Sequence, residues 1–396
     1  MPRFIAVPIG QGDAFFLEHE GISVLIDGGR SRSAFPSLFR RFTHADGVDV
    51  AICTHNDADH ANGILGFLED GLKCNELWLP ARWLSALPSV LKPFVDVADE
   101  LLRDIHESRT ASNRERDNLD PSSLEEYVDC ISTTEPSGSV EEHSVADQRW
   151  PEPFIQMLEQ AESWENYQQL HASWTLDGLY CRRFARYSAL SLGQVKLLWS
   201  AIDAASRIRA IATAAFHRGI PVRWFEFDSA NPSGGKLALH PINAREIARV
   251  RPLAGPLLNW LALTVSNRES LVYWSPSTKH VPGVLFTADS DLVGFKLPSY
   301  LDGSIVTAPH HGSESNRKAY MAVAKSSNGQ TPIIWVRSDG RYRSRPGATF
   351  VNLADRKFCT ICRQCYGGST QKQAVRFYAR KGVWIRYPAS IKCSCR

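Results

Sequence analysis

The first quarter of the chain alternates short apolar runs with tight polar breaks, a pattern of strands and turns. Arg3–Ile9, Ala14–His19 and Ser23–Asp27 read as strands, split by Gly10-Gln11-Gly12-Asp13 and by Glu20-Gly21. Asp49–Thr54 (D-V-A-I-C-T) is a nearly continuous apolar run that stops abruptly at polar residues. Such a run suits a buried strand that delivers side chains at its C-terminal edge. Ala61–Leu68 then reads as a helix and Glu76–Pro80 as a strand.

From about Trp83 to Arg218 the period changes. Pro88–Glu107 and Phe154–His217 repeat Leu, Ile, Trp and Ala at spacings of three and four, which predicts helices. The polar stretch Arg109–Gln148 between them reads as a loop. Strands return at Pro221–Phe227, Lys236–Pro241, Leu261–Val265, Ser270–Trp274, Val284–Thr287 and Ser304–Ala308, then at Pro332–Val336 and Ala374–Arg386. Helices fit Arg317–Lys325 and Thr349–Phe358. Strands at both ends with interspersed helices predict a layered α+β architecture of two sheets and covering helices, interrupted by a helical insertion. The expected divisions are 1–82, an insertion over 83–218, 219–350, and a C-terminal module over 351–396.

Composition adds a globular character, with 43% hydrophobic and 22% charged residues. No apolar run approaches the ~18–20 residues needed to span a bilayer, and the N-terminus enters a strand directly. The expectation is a cytoplasmic chain without a membrane anchor. Charge is unevenly divided. From Arg337 to Arg396 there are fourteen Lys or Arg against two acidic residues, Asp339 and Asp355; with +3 overall, the first 336 residues carry −9. A basic end on an acidic body suits a phosphate-rich partner, or else is a solvated face. Cys359, Cys362, Cys365, Cys393 and Cys395 crowd the same end. Four of the five would complete a structural zinc site, the alternatives being thiols or disulfides.

The chemistry concentrates in Thr54-His55-Asn56-Asp57-Ala58-Asp59-His60, directly after a strand. Four metal-ligand side chains within six residues fan out from one turn, and imidazole with carboxylate suits zinc, manganese or iron. Separate readings of single members remain: Asp57 or Asp59 as a helix cap, either histidine as a satisfied core residue. Further candidates end other strands: Asp27 after V-L-I, Asp289 after V-L-F-T-A, and His310 with His311 after I-V-T-A-P.

His55-x-Asp57-x-Asp59-His60 resembles the H-x-[HD]-x-D-H signature of the metallo-β-lactamase fold, an αββα sandwich. The chain is similar in particular to the hydrolase-domain branch of the competence protein ComEC, at Gly10–Asp13, Leu25–Gly29, Thr54–Gly63, Asn267–Val272, Asp289 and Pro309–Ser313. The resemblance covers roughly 1–80 and 220–350. It implies two divalent metal ions, zinc or manganese, with His55, Asp57, Asp59, His60 and His310 as ligands and Asp289 between the metals. It further implies Asp27 as a carboxylate bracing the ligands, and Asn267 where many relatives carry a ligand histidine. His311 is either a ligand or a substrate contact, and Ser313 lies beside it on the substrate side. Where that branch carries a histidine before proline, Arg345 stands before Pro346.

Two divalent cations would lower the pKa of a bridging water, giving a nucleophile at neutral pH. Asp59, His311 and Arg345 are then the candidate catalytic residues. Arg337, Arg341, Arg343 and Arg345 form either a phosphate clamp or an exposed loop. The expected function is a metal-dependent phosphodiesterase or nuclease acting on nucleic acid or another phosphodiester. The alternative is a metal-binding regulatory subunit that docks a protein partner through the helical insertion.

Overall fold

The computed structural model describes residues 1–115, 143–144, 150–178, 190–247, 249–250, 256–258, 261, 270–338, 345–361 and 373–387. The chain divides into two compact units. One comprises Met1–Pro80, Ile220–Ile247 and Asn267–Arg396; the other comprises Ala81–Gly219 and Ala248–Ser266.

The strands in chain order are β1 (Arg3–Ala6), β2 (Phe15–His19), β3 (Ile22–Ile26), β4 (Gly47–Ile52), β5 (Lys73–Pro80), β6 (His143–Ser144), β7 (Val222–Phe227), β8 (His240–Pro241), β9 (Ala244–Ile247), β10 (Arg249–Val250), β11 (Tyr273–Ser275), β12 (Val284–Phe286), β13 (Ile305–Thr307), β14 (Ile334–Arg337), β15 (Arg356–Cys359), β16 (Val375–Arg380) and β17 (Val383–Arg386). In the first unit one sheet runs β17-β16-β1-β2-β3-β4-β5-β7-β9 and a second runs β15-β14-β13-β12-β11-β8. Within them β3, β4, β5 and β7 are mutually parallel, as are β12 to β15.

Period-two alternation decides which residues meet between the sheets. Phe4, Phe15, Leu17, Ile26, Val50 and Ile52 from the first sheet share one core with Tyr273, Phe286, Ile305, Val336 and Phe358 from the second. The rings of Phe4 and Phe15 each stand 6.1 Å from that of Phe286. On the opposite face of the first sheet, Phe16 packs edge-on to Phe39 of the helix Phe35–Thr43, and Phe39 packs edge-on to Phe67 of the helix Ala58–Glu69. On the outer face of the second sheet, Trp335 packs against Tyr320 of the helix Arg317–Lys325.

Two expected elements differ. Thr349–Phe358 is not one helix: Ala348–Val351 makes a single turn, and Arg356–Cys359 is β15, the parallel partner of β14. In so short a window the apolar positions fit either period, and the unpaired edge of β14 selects strand. Asp355 reinforces that choice by accepting from the Ile333 backbone N–H and from Trp335 Nε1. Ala374–Arg386 is a hairpin rather than one strand, turning at Lys381 and Gly382, both with positive φ as a two-residue hairpin turn requires. Of the expected strand Leu261–Val265, all but Leu261 lies outside the described residues, as does most of Arg109–Gln148.

The second unit is helical around a buried cation. Arg209, 1% exposed, donates to the carbonyls of Val90, Lys92 and Glu162 and lies 4.5 Å from the Tyr167 ring centre. Ser191 and Gln194 form a reciprocal capping box at the start of the helix Leu192–His217. Among the described residues no helix is long and apolar enough to cross a membrane.

Burial pushes the carboxyl of Asp104 up to about 6, against the lowering effect of the Leu258 N–H that it accepts. A carboxyl whose pKa rises on folding contributes stability that is complete below its unfolded pKa near 4 and is lost as pH rises through about 6. Asp104→Asn keeps an acceptor for Leu258 without the charge. Its stability relative to wild type, followed by urea unfolding, should increase from pH 4 to pH 7; a constant difference over that range would refute the assignment.

The helix Ala58–Glu69 approaches the β3 turn with no side chain between them. Gly28 N–H donates to His60 O, Gly63 N–H donates to Gly29 O, and a Cβ on either Gly28 or Gly63 would overlap the other's backbone. Gly63→Ala is therefore expected to cost about 1–3 kcal/mol of stability, measured by urea unfolding. An unchanged midpoint would show that the approach is looser than described.

Candidate metal centre

Five segments bring the site together at one edge of the two sheets. The loop after β1 carries Asp13, the end of β3 carries Asp27, and the segment after β4 carries Thr54 to His60. The segment after β12 carries Asp289, and the turn after β13 carries His310 and His311. Asp57 occupies the N-cap position of the helix Ala58–Glu69 but makes no capping hydrogen bond with its side chain. Asp27, Ala288, His310 and His311 all have positive φ, a conformation that costs a non-glycine residue roughly 1–3 kcal/mol. Strain of this kind persists where the surrounding structure demands a particular side-chain direction.

The hydrogen bonds define that direction for each imidazole. Asp27 accepts the Thr54 N–H at 2.8 Å through one oxygen, and the Thr54 hydroxyl at 2.7 Å through the other. The Thr54 oxygen, having donated, accepts from His55 Nδ1 at 3.0 Å. His60 Nδ1 donates to Asp27 Oδ2 at 2.8 Å and His311 Nδ1 donates to Asp13 Oδ1 at 3.0 Å. Asn316 donates its amide to the Asp289 carbonyl and accepts from His310 Nδ1 at 3.2 Å. All four rings thus carry the Nδ1 proton outward and turn Nε2 inward.

Asp289 divides the space they face. Its Oδ1 lies 3.2 Å from His60 Nε2 and 3.8 Å from His311 Nε2; its Oδ2 lies 3.6 Å from His310 Nε2 and 3.8 Å from His55 Nε2. Asp59 Oδ2 stands 3.5 Å from His311 Nε2, and Asp57 Oδ2 stands 3.8 Å from His55 Nε2. Two groups could each hold a metal ion: Asp13, His60, Asp289 and His311, all buried, and His55, Asp57 and Asp289. Exposure separates the members. His60 and His311 are fully buried, whereas the side chains of His310 and Asp57 are 30% and 27% exposed at the rim.

These residues fit divalent cations. The Nε2 atoms of His55, His60 and His311 are buried and make no hydrogen bond. Their spacing from the carboxylate oxygens is near the ~3.4 Å that separates two ligands of a tetrahedral ion with bonds of about 2.0–2.1 Å. Electrostatics point the same way. Burial, reinforced by neighbouring His60, pushes His55 down to about 4. Burial also opposes charge on His311, yet Asp13 and Asp289 raise it to about 10. His60 is likewise held well above its ordinary value, against burial, by Asp289 and Asp27. Asp289 lies well below the carboxylate range despite burial, because His60 and His311 stand beside it. The carboxylates therefore demand positive charge at the spot the Nε2 atoms face.

The other expected site residues fall into three groups. Arg337 was expected to bind substrate, but it is 1% exposed and lies beneath the histidine turn, where its side chain fills the space beside Gly312. It donates to Cys359 Sγ at 3.3 Å and to the Ile361 carbonyl at 3.2 Å, so its guanidinium braces the second sheet instead of facing solvent. Ser313 accepts the Ser315 N–H and caps the short turn Glu314–Asn316. The segment 345–347 docks on the histidine turn, with Gly347 N–H donating to Gly312 O at 2.8 Å. Asn267, Arg341, Arg343, Cys362, Cys365, Cys393 and Cys395 lie outside the described residues; Cys359 is buried in β15. The residues given no role by the sequence are Asp13, Thr54 and Asn316. Asp13 and Thr54 both lie within the motifs that carry the resemblance, Gly10–Asp13 and Thr54–Gly63, whereas Asn316 had no sequence signal.

A model of the metallo-beta-lactamase superfamily matches residues 7–71, which include Asp13, Asp27 and His55 to His60. That match supports a metallo-β-lactamase-fold hydrolase. No curated protein matches the chain.

Since each oxygen of Asp289 faces a different half of the cluster, Asp289→Ala should weaken metal uptake in both halves. Asp57→Ala should affect one. Elemental analysis after dialysis at limiting metal is the measurement, with at most one equivalent lost from Asp57→Ala and more than one from Asp289→Ala. Equal losses would remove Asp289 from its dividing position.

Proposed function

We propose that this chain is a metal-dependent hydrolase of phosphodiesters, with nucleic acid as the favoured substrate class. The observation that carries the reading is the cluster of inward-facing Nε2 atoms divided by Asp289. His60, His311, Asp59 and Asp289 would hold one divalent ion, zinc or manganese, and His55, Asp57 and Asp289 the other, with His310 at the open rim. This assignment exchanges the roles expected for the histidine pair, because His311 is the buried member and His310 the exposed one. Cations held there would supply Lewis acidity and an activated water.

The remaining steps belong to side chains. Asp27 and Thr54 hold His60 and His55 in one orientation, which raises ligand basicity and limits reorganisation. The rim formed by Asp57, Asp59 and His310 is where a substrate would enter. Arg345 begins the segment whose Gly347 is docked on Gly312, and its guanidinium would offer a planar two-pronged contact to a phosphoryl group. Its charge and the basic C-terminal sixty residues favour phosphodiester over lactam or thioester. The motif order resembling the ComEC branch supports the same choice, and with it an αββα sandwich in which residues 83–218 are an insertion.

The reading is tested with purified protein, with and without a chelator, against single- and double-stranded DNA, RNA and cyclic nucleotides. Chelator-sensitive cleavage of at least one is expected, and Asp59→Ala with His60→Ala should abolish it together with metal binding. Arg345→Ala should cut cleavage about a hundredfold at unchanged metal content, and Arg345→Lys should recover part. Absence of cleavage on all four by metal-loaded protein overturns the proposal; full activity in Arg345→Ala removes the arginine from it.

A further inference from the structure

Asp13 is a buried carboxylate, 1% exposed, on the loop Gly10-Gln11-Gly12-Asp13. One oxygen accepts from His311 Nδ1 at 3.0 Å; the other is buried with no hydrogen bond. Its backbone N–H donates to the Asp59 carbonyl at 3.1 Å, and Gly12, at φ +96°, lies so close that a Cβ there would overlap the same carbonyl. The loop therefore grips the backbone of one candidate ligand, Asp59, while its side chain grips the ring of another, His311. The two ligands come from different sheets, and Asp59 Oδ2 meets His311 Nε2 at 3.5 Å.

We propose that Asp13 is a positioning residue that holds His311 as the Nδ1-protonated tautomer and so commits its Nε2 to the half of the centre built by Asp59, His60 and Asp289. This rests on the metal-centre reading above. A buried imidazole is otherwise free to exchange tautomers or flip, and either change would withdraw the lone pair from that half. A carboxylate behind a metal-bound histidine fixes orientation and raises the basicity of the opposite nitrogen. The second oxygen, buried without a hydrogen bond, is costly in a neutral interior, and a divalent cation held by the Nε2 atoms would supply charge to offset it. Asp13 itself lies close enough to the cluster to be a ligand. Its hydrogen bond to Nδ1, behind a ring whose Nε2 faces Asp59, favours the positioning role.

The test uses the full-length chain with ¹⁵N-labelled histidine, zinc-free and zinc-loaded, as wild type, Asp13→Asn and Asp13→Ala. Asp13→Asn is isosteric and keeps an acceptor, so it stands if Asp13→Ala fails to fold; backbone amide spectra check both. Wild type should show a slowly exchanging, low-field Nδ1–H signal for His311, shifted in Asp13→Asn and absent in Asp13→Ala. In competition with a chromophoric chelator, Asp13→Ala should bind one of its two zinc equivalents, that of the His311 half, about 10–100-fold less tightly, Asp13→Asn less severely, and both at wild-type stoichiometry when saturated. Unchanged affinity and an unchanged His311 signal in Asp13→Ala would overturn the proposal. So would loss of a whole equivalent in Asp13→Asn, as His311→Ala should give, because Asp13 would then be a ligand. Wild type that takes up no zinc would overturn the metal-centre reading instead, and the zinc-free spectrum would still decide the Asp13–His311 pair.

Discussion

A buried imidazole must place both ring nitrogens, and in this protein three buried rings and one at the rim are oriented the same way. Each gives its Nδ1 proton to an outward acceptor: Thr54 for His55, Asp27 for His60, Asn316 for His310 and Asp13 for His311. What remains is a set of inward Nε2 atoms around one carboxylate, Asp289, at separations of 3.2 to 3.8 Å. The carboxylates raise His60 and His311, whereas burial and the neighbouring His60 hold His55 low. Divalent charge at the centre would satisfy nitrogens and oxygens together. Much of the surrounding architecture serves to keep these groups close.

Strand direction explains how they are gathered. The ends of β3 and β4 lie side by side because the strands are parallel, and so do the ends of β12 and β13. β1 returns through β2 to β3 by two antiparallel steps, so the loop after β1 opens at the same edge. The shared apolar core between the sheets then brings both groups of ends together. Positive φ at Asp27, Ala288, His310 and His311 is the local cost of turning chains sharply at those ends.

Glycines carry out the closest approaches. Gly28 against Gly63 seats the helix Ala58–Glu69 directly on the β3 turn, which puts His60 over Asp27. Gly12 against the Asp59 carbonyl seats the first loop on the segment that carries the candidate ligands. Gly312 leaves room for the Arg337 side chain beneath the histidine turn and for the segment 345–347 beside it. Arg337 shows how burial can redirect a residue chosen for its charge: its guanidinium donates to Cys359 Sγ and to the Ile361 carbonyl.

The sequence by itself determined the candidate ligand segment His55 to His60, because four such side chains within one turn are held close by chain connectivity alone. It also marked Asp27, Asp289 and the histidine pair, since each ends an apolar run, and strand ends are where a layered α/β fold presents polar side chains. It did not distinguish His310 from His311, neighbours with equal chemistry; the turn buries one and exposes the other. It did not separate the single helical turn Ala348–Val351 from β15, because the choice depended on an unpaired edge supplied by β14. Nor did it assign a role to Asp13. That residue stands 298 positions from His311, and their meeting at 3.0 Å exists only once two sheets have packed face to face. Local spacing is written along the chain, whereas a partner across the core is set by the packing of surfaces that the chain does not place next to each other.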